Sequence, residues 1–531
     1  MTTAIELLRQ GRRDELWQRS CGFIDLSIEE FMSIQNRLML EQLTVLSDCE
    51  LGRVIMRGKK PKTVEQFRKQ VPLTTYTDYV PFLLEQREDV LPEKPLFWQH
   101  TSGRSGEYKF KWVPVTERFF EELGPVFMAS IIFSSCDDRG DITLEEGDKF
   151  FYGLAPPPYA SGALLRRLTT EFPFAFIPPM QQAETMSFQE RIQEGFKISL
   201  SDGMRFFAGM SSVLVAVGER FQERSGSMSI TSLLARPRAL LRLLKGLIKS
   251  KLARRPMLPR DLWTLKGISG GGTDTPVYRE KVKALWGRYL LDAYGGTEFA
   301  VIAMQTWDYN TMTFIPNLNF LEFIPEDEYL KSKEDKSYQP RTVLLHEVKA
   351  GERYEMVISS FHGGPFVRYR VGDMIKIAAL RNDTLDIDIP QMLFETRVDG
   401  IVDLAAFTRL TEKTIWQAVE RSGVRYQDWT VRKEAGEKPV LHVYIEPKEG
   451  VTKSEQEVAV ALHNSLKELD SFYAELESML DLRPVEVTFL PIGAFDRYTA
   501  RQQAAGADLA HLKPPHIYPS DEIMASLLKV D

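Results

Sequence analysis

The residues with the clearest chemical potential form the segment Thr101–Lys109, whose sequence is T-S-G-R-S-G-E-Y-K. It follows the apolar residues Leu96, Phe97 and Trp98, which are typical of a strand. Glycine lets a backbone approach a ligand closely, and backbone N–H groups and hydroxyls donate hydrogen bonds to phosphate oxygens. The segment is therefore predicted to bind a polyphosphate, although it lacks the Walker pattern G-x-x-x-x-G-K-[ST]. The alternative interpretation is a Ser/Gly-rich surface turn.

Two glycine turns follow predicted strands later in the chain. In the first, Gly270–Gly272, backbone groups can face a flat heterocyclic base. In the second, Y-G-G-T-E, the ring of Tyr294 can lie on adenine while Thr297 and Glu298 face phosphate and Mg²⁺, since Mg²⁺ prefers oxygen ligands. Alternatively, Tyr294 is a core aromatic and Glu298 a surface charge. The candidate binding residues of the two turns are Gly271, Gly272, Tyr294, Gly295, Gly296, Thr297 and Glu298.

Two charged residues nearer the C-terminus complete the set. Asp373 follows Val371 and Gly372, where its carboxylate can accept hydrogen bonds from both hydroxyls of a ribose. Lys513, in H-L-K-P-P-H, is a cation that a C-terminal domain can carry toward a reacting phosphate. The alternative interpretations are that Asp373 is an ordinary turn residue and that Lys513 is a solvated surface lysine. The order of the motifs along the chain favours the chemical interpretation.

Strands and helices alternate among the elements that must position these residues. Gly147–Pro158 and Phe174–Pro178 are predicted as apolar strands, and Tyr108–Val113 as a short strand after the polyphosphate loop. A helix is predicted over residues 114–136 with Thr116 as its N-cap, because a threonine side chain accepts a hydrogen bond from the first turn. This alternation indicates an α/β arrangement with a largely parallel sheet.

The pattern changes near residues 396–399, where a hinge is predicted. Residues 1–395 are predicted to form a large N-terminal domain of mixed sheets and helices. Residues 396–531 follow a β-α-β-α-β pattern with helices over Glu412–Arg421 and Ser454–Asp470. The predicted fold class is therefore α/β, with a small, mobile α+β cap domain at the C-terminus.

Composition excludes several classes of function. A net charge of −7 and a pI near 5.8 argue against nucleic acid as a partner, because phosphate backbones attract basic surfaces. The three cysteines form no C-x-x-C pair, which predicts no disulfide framework or structural zinc and favours the cytoplasm. The charged N-terminus is unlike a signal peptide. The sequence contains no run of about 18 apolar residues, so no membrane span is predicted.

Residues 230–255 predict a basic amphipathic helix. Leucine and isoleucine residues share one helical face, while Arg238, Arg242, Lys245 and Lys249 share the other. One interpretation is weak peripheral contact with an anionic membrane or a partner. The other is a surface helix whose apolar face packs on the core and whose basic face is solvated.

Taken together, these motifs resemble the adenylate-forming, AMP-producing enzymes. Within that superfamily the chain is most similar to the Gretchen Hagen, or auxin-responsive promoter, family of acyl acid-amido synthetases. The resemblance rests on V-P-L-T-T-Y-T-D-Y-V-P-F at Val71–Phe82, on Y-G-G-T-E, on V-R-Y-R-V-G-D at Val367–Asp373, and on the tail from Gly493 onward. It covers roughly residues 65–520.

The resemblance implies ATP-dependent activation of a carboxylic acid as an acyl-adenylate, followed by transfer to an amine or amino acid with release of AMP. Glu298 would orient Mg²⁺, Asp373 would hold the ribose, and the catalytic cation would be Lys513. Arg397, in the hinge, would contact the ribose or a phosphate. The loop residues that would hold ATP phosphates are Thr101, Ser102, Gly103, Arg104, Ser105, Gly106 and Lys109.

Two questions stay open in the sequence. The candidate acyl pocket has ordinary core packing as its alternative, and the acceptor is either an amine or coenzyme A. The loop is shorter than is usual in the family, carries Arg104 in place of a hydroxyl, and resembles that of phenylacetate–CoA ligase. A catalytically inactive nucleotide-binding protein is disfavoured because the motifs occur together. The candidate acyl-pocket residues are Tyr159, Ser161, Phe206, Phe207 and Met210.

Overall fold

The computed structural model describes residues 2–101, 110–224, 236–272, 275–335, 337–397, 400–404, 408–434, 440–470, 473–474, 485–504 and 516–529. The chain forms two compact units. Unit 1 comprises Met1–Val371 and Ile375–Phe394, and unit 2 comprises Gly372–Met374 and Glu395–Asp531. The division between Phe394 and Glu395 lies next to the predicted domain boundary at residue 395. Mobility of the C-terminal unit stays a prediction.

Unit 1 holds most of the helices and strands. Its helices are α1 Ala4–Arg9, α2 Arg13–Cys21, α3 Ile28–Asp48, α4 Glu50–Ile55, α5 Val64–Gln70, α6 Val80–Leu83, α7 Glu117–Ser135, α8 Ala160–Glu171, α9 Met180–Ala183, α10 Phe188–Asp202, α11 Ser211–Arg224, α12 Pro237–Leu252, α13 Pro259–Leu262, α14 Thr275–Trp286 and α15 Glu326–Glu334. Its strands are β1 Pro95–His100, β2 Trp112–Thr116, β3 Lys149–Tyr152, β4 Ala175–Ile177, β5 Phe206–Gly209, β6 Gly267–Gly270, β7 Leu291–Gly296, β8 Ala300–Gln305, β9 Met312–Phe314, β10 Asn319–Pro325 and β11 Arg353–Ser360. Two further strands, β12 Tyr369–Ala379 and β13 Gln391–Arg397, contribute residues to both units.

The main sheet has eleven strands in the order β10-β11-β12-β13-β9-β8-β7-β6-β5-β3-β4. Strands β4, β3, β5, β6 and β7 are parallel, whereas β7 to β9 pair antiparallel. This is the α/β arrangement that the alternation of strands and helices predicted. Because parallel strands run in one direction, the segments that follow β3, β5, β6 and β7 emerge at one edge of the sheet.

Paired phenylalanines show how the parallel strands are buried on both faces. Phe150 and Phe206 stack in one core cluster, with ring centroids 6.2 Å apart. The next residues along each strand, Phe151 and Phe207, stack at 4.6 Å in the cluster on the opposite face. Side chains alternate across a strand, so continuous aromatic runs fill both cores.

Local signals set the helix positions well and the strand bounds less well. Helix α7 begins after Thr116, whose side chain accepts a hydrogen bond from the backbone N–H of Phe119, as predicted. The strand predicted at Gly147–Pro158 is confined to Lys149–Tyr152, because the following prolines lack the N–H that a ladder needs. Of the strand predicted at Tyr108–Val113, Tyr108 and Lys109 lie outside the described residues, and β2 begins at Trp112.

Unit 2 has its own small sheet and core. Strand β17 pairs antiparallel with β16 and parallel with β18, and β14 and β15 form a separate hairpin. The helix predicted at Glu412–Arg421 is confirmed, and the one predicted at Ser454–Asp470 is confirmed with Ser454 as its N-cap. The described elements are β14 Ile401–Leu404, β15 Thr408–Thr411, α16 Glu412–Arg421, β16 Tyr426–Glu434, β17 Val440–Pro447, α17 Glu455–Leu469, β18 Val485–Phe489, α18 Ala494–Ala504 and α19 Asp521–Leu527.

Candidate active site

The carboxyl edge of the parallel sheet brings together residues that are far apart in sequence. In open α/β sheets, ligands bind outside the carboxyl ends of the strands, which makes this edge the candidate site of unit 1. The predicted residues that follow strands at this edge are Tyr159 and Ser161 after β3, Met210 after β5, Gly271 and Gly272 after β6, and Thr297 and Glu298 after β7.

Glu298 is held by a lysine and a tyrosine that the sequence did not single out. The ammonium of Lys111 lies 3.8 Å from its Oε1, and the hydroxyl of Tyr369 donates to the same oxygen at 3.3 Å. The side chain of Gln99 donates to the carbonyl of Thr297 at 2.8 Å, which fixes the adjoining backbone. Burial, with the neighbouring Glu298 carboxylate, raises the pKa of Tyr369 well above its usual value, so the phenol stays protonated and donates.

The base of the predicted polyphosphate loop lies beside this carboxylate. Strands β1 and β2 form an antiparallel pair. Just beyond this pair, the backbone N–H of Thr101 donates to the carbonyl of Lys111, and the backbone N–H of Lys111 donates to the side-chain Oγ1 of Thr101 at 3.1 Å. Since Lys111 also contacts Glu298, the loop starts and ends next to the Y-G-G-T-E turn. The remaining predicted loop residues lie outside the described residues and are Ser102, Gly103, Arg104, Ser105, Gly106 and Lys109.

His100, at the end of β1, links the loop base to the predicted acyl pocket. Its ring centroid lies 4.2 Å from that of Phe110 and 4.8 Å from that of Tyr159. Its backbone N–H donates to the carbonyl of Pro158 at 3.2 Å. Burial lowers the pKa of His100, so the imidazole is neutral at pH 7 and part of an aromatic cluster. Its position immediately before Thr101 was the only sequence signal for it.

The two arginines of V-R-Y-R-V-G-D have structural partners. Arg368 donates to both oxygens of Glu322 at 2.8 and 3.0 Å, and Arg370 pairs with Glu355 at 2.6 Å. Both carboxylates are almost fully buried, so these pairs are costly to break. They hold the strand on either side of Tyr369, and they thereby aim its hydroxyl at Glu298.

Three predicted ligand-binding aromatics are buried. Tyr294 is 6% exposed and lies 5.5 and 5.7 Å from the rings of Phe299 and Phe394. Phe206 and Phe207 are each 1% exposed and belong to the two core clusters. Core packing accounts for all three rings. Adenine contact by Tyr294 and acyl contact by Phe206 and Phe207 stay predictions.

Close backbone packing explains the glycines of Y-G-G-T-E. A Cβ on Gly295 would lie 2.4 Å from the carbonyl oxygen of Ala300, and one on Gly296 would lie 2.6 Å from the Phe299 ring. Gly271 is similar, since its Cβ would come within 2.8 Å of the Ala293 carbonyl oxygen. The glycines are therefore required by the sheet itself, and contact of Gly271 with a base stays a prediction.

Tyr159, Ser161 and Met210 lie where an acyl group would meet the sheet edge. Tyr159 caps α8, and Ser161 in the first turn donates to the Ala155 carbonyl at 3.0 Å. Met210 follows β5 and is partly exposed. Their role as an acyl wall stays a prediction that this position supports.

In unit 2, the predicted ribose and hinge residues are neighbours. Asp373 is 9% exposed, and its Oδ1 lies 3.9 Å from Nε of Arg397, whose side chain is 57% exposed. The pair thus joins a largely buried carboxylate to an exposed guanidinium at a distance beyond hydrogen bonding. Lys513 lies outside the described residues.

His516, which ends the H-L-K-P-P-H segment, is buried in unit 2 between two carboxylates. Its Nδ1 and Nε2 lie 2.7 Å from Glu412 and Asp428 respectively, and its ring stacks on Trp429 at 4.4 Å. Burial alone would lower the pKa of His516, but Asp428 and Glu412 outweigh burial and raise it to about 9. The backbone N–H of Val431 donates to the His516 carbonyl, which ties the end of the segment to β16.

If Glu298 binds Mg²⁺, as the resemblance implies, replacing Tyr369 with phenylalanine is expected to raise the Mg²⁺ concentration needed for half-maximal activity about tenfold, because loss of a hydrogen bond that orients a metal ligand typically costs about 10- to 100-fold. The measurement is the Mg²⁺ concentration that gives half-maximal pyrophosphate release. Tyr338→Phe is the matched control, since Tyr338 donates to Glu328 at 2.7 Å on α15. Equal shifts in the two variants would contradict a role for Tyr369 at Glu298.

Replacing His516 with glutamine is expected to destabilise unit 2 most at low pH. A pKa raised from 6.5 to about 9 contributes about 3 kcal/mol that is fully present below pH 6.5 and is lost as pH rises through 9. Thermal unfolding of wild type and variant between pH 6.5 and pH 10 measures this, with the exposed His346→Gln as control. A destabilisation by H516Q that is constant with pH would refute the charged imidazole.

Comparisons with known proteins add a family context to this geometry. Models of the GH3 family N-terminal, central and C-terminal domains match residues 21–170, 312–397 and 410–522. The chain is similar to the jasmonoyl–L-amino acid synthetase GH3.5 of Oryza sativa subsp. japonica, with 26% identity over 231 residues. These residues are 41% of this chain and 38% of that relative, so the match spans about two fifths of the relative's length.

Solved structures share the fold over nearly the whole chain. The AtGH3.15 acyl acid amido synthetase in complex with 2,4-DB gives a TM-score of 0.68 at 18% identity, covering 97% of this chain and 96% of that one. A 2-hydroxyisobutyryl-CoA ligase in its postadenylation state gives a TM-score of 0.62 at 14% identity, covering 96% and 93%. The predicted fold class, a large α/β domain with a small α+β C-terminal domain, is confirmed.

Proposed function

Because this chain belongs to the GH3 family, we propose that it activates a carboxylic acid with ATP and transfers the acyl group to an amine or amino acid. The observation that carries the proposal is the carboxylate of Glu298 at the carboxyl edge of the sheet, held by Lys111 and Tyr369 beside the base of the polyphosphate loop. This is a place where phosphates and a divalent cation can be bound together.

The side chain of Glu298 fits a Mg²⁺ ligand. Its Oε1 is engaged by Lys111 and Tyr369, whereas no described residue hydrogen-bonds its Oε2, so one anionic oxygen is oriented and the other is available. A carboxylate together with substrate phosphates is a common ligand set for Mg²⁺. When bound, Mg²⁺ would neutralise charge on the phosphates of ATP.

In the first half-reaction a carboxylate oxygen of the acid attacks the α-phosphorus of ATP and pyrophosphate leaves. The protein supplies position and charge rather than covalent chemistry. Thr101 and the loop after it would hold the β- and γ-phosphates, while Asp373 would accept hydrogen bonds from the ribose. Arg397 and Lys513 would neutralise the negative charge at the reacting phosphate.

In the second half-reaction the amine nitrogen attacks the acyl carbonyl carbon, AMP leaves, and the amine loses a proton. Adenylation makes this step feasible because AMP is a far better leaving group than an oxide. Tyr159, Ser161 and Met210 would contact the acyl group. The alternative acceptor is the thiol of coenzyme A. It is retained because the chain shares its fold with the 2-hydroxyisobutyryl-CoA ligase.

Product analysis by mass spectrometry tests the proposal. The purified chain is given ATP, Mg²⁺ and pooled carboxylic acids, and is then divided between pooled amino acids and coenzyme A. An amide with stoichiometric AMP supports the proposal and identifies both substrates, whereas a thioester assigns the alternative reaction. Absence of AMP and pyrophosphate with every acid would overturn adenylation.

A further inference from the structure

Helix α12 contacts the rest of unit 1 through one leucine and three small residues. The buried residues of this helix are Ala239, Leu243, Gly246 and Ser250. A Cβ on Gly246 would lie 2.5 Å from Leu262 and 2.9 Å from the sulfur of Met257, so the helix lies very close to its neighbours. None of the described helices has the length and apolarity needed to cross a bilayer, and α12 is no exception.

The large apolar residues of α12 divide between core and solvent, so the interpretation in which the leucine face packs on the core holds only in part. Leu243 is buried and Leu247 packs against the same core cluster, whereas four others are exposed. Leu241, Leu244, Ile248 and Leu252 are 59, 45, 60 and 80% exposed. Their spacing of three or four residues places them on one face, which we call the α12 stripe. Of the eleven exposed large hydrophobic residues in the described part of the chain, these four form one continuous patch.

The basic residues of α12 divide between two roles. Arg242 turns inward and donates to the carbonyls of Ser199 and Leu200 at the end of α10. Arg238, Lys245, Lys249 and Lys251 are exposed; by helical spacing the first three lie along one border of the α12 stripe, and Lys251 lies on the other. The helix contains no acidic residue, and no described carboxylate pairs with these four cations. A stripe of large apolar side chains with a row of cations along one border is thus presented to solvent.

We propose that the α12 stripe docks on an anionic lipid bilayer with the helix axis parallel to the membrane surface. Leucine and isoleucine would enter the boundary between headgroups and acyl chains, while the bordering lysines and arginine would extend to lipid phosphates. A second copy of this chain fits poorly, because two stripes facing each other in antiparallel orientation would bring their basic borders together.

Co-sedimentation of the full chain with vesicles tests the proposal. Binding is expected to phosphatidylcholine vesicles containing about one third phosphatidylglycerol, and is expected to fall strongly in high salt and with pure phosphatidylcholine. The variant Leu244→Gln/Ile248→Gln is expected to bind at least about tenfold more weakly, because it removes half of the inserted apolar side chains. Both residues are exposed, so the fold is expected to survive.

The matched control is Leu380→Gln/Ile492→Gln, which removes a leucine and an isoleucine of similar exposure, 51 and 59%, outside the stripe. This control is expected to bind like the wild type. No binding at low salt, or equal binding by the two double variants, would overturn the proposal. Sedimentation velocity adds a further arm: a wild-type dimer that L244Q/I248Q dissociates would assign the stripe to self-association and also overturn it. All of these readouts are independent of catalytic activity.

Discussion

Replacing Glu298 with glutamine is expected to lower kcat/KM for acyl-adenylate formation by about 10²–10³. Glutamine keeps the size of the side chain but removes the negative charge that would bind Mg²⁺, and it leaves the nearby Lys111 without its carboxylate. Loss of a single preorganised charge interaction at a transition state typically lowers the rate by about this factor. The measurement is pyrophosphate release at varied ATP and Mg²⁺, with a saturating carboxylic acid.

The Glu298 experiment needs a control for the loss of any surface carboxylate. Glu334→Gln serves, because Glu334 is exposed near the end of α15, away from the strand ends of the site. A second variant, Glu298→Asp, keeps the charge but shortens the side chain, and it is expected to retain more activity at high Mg²⁺ than E298Q. If E298Q and E334Q have the same activity, the assignment of Glu298 fails.

Replacing Lys513 with alanine is expected to lower adenylation by about 10²–10³ and to spare the second half-reaction. The ammonium would neutralise charge that builds up only while the carboxylate attacks the α-phosphorus, so its loss affects that transition state selectively. The rate of adenylation is measured as the rate of pyrophosphate release. The rate of the second half-reaction is measured as amide formation from a chemically prepared acyl-adenylate.

Lys433→Ala is the matched control for Lys513, since Lys433 is an exposed lysine on β16 of the same unit. The control is expected to leave both half-reactions within about twofold of wild type, as is usual for an exposed lysine. If K513A slows the two half-reactions equally, Lys513 acts on the structure of the C-terminal unit rather than on the adenylation transition state.

The helix assignments show how much local sequence signals can determine. Thr116 was predicted as an N-cap, which depends on residues within one turn, and the structure confirms it. The helix predicted from Ser454 begins at Glu455, with Ser454 as its N-cap. Strand bounds depended on pairing with distant segments and were less accurate. The short strand β3 is an example, since its proline-rich continuation cannot join the ladder.

Helix α12 shows the limit of periodicity. Its amphipathic pattern was visible in the sequence, but which face meets the core was not. The structure buries Leu243 and Gly246 and exposes Leu241 and Ile248, and at Gly246 even a Cβ would lie 2.5 Å from Leu262 of α13. The spacing of apolar residues shows which side of a helix is apolar, and only the neighbouring elements decide where that side points.

By itself the sequence determined the order of the motifs, the α/β class and the family, because glycine turns, caps and alternating apolar runs are local properties of the chain. Only the tertiary structure decided that Lys111 and Tyr369 hold Glu298 and that Tyr294 is buried. Those contacts join segments far apart in sequence: Glu298 follows β7, Lys111 precedes β2 of the separate two-stranded sheet, and Tyr369 is the first residue of β12. No local pattern encodes which side chains of such segments meet.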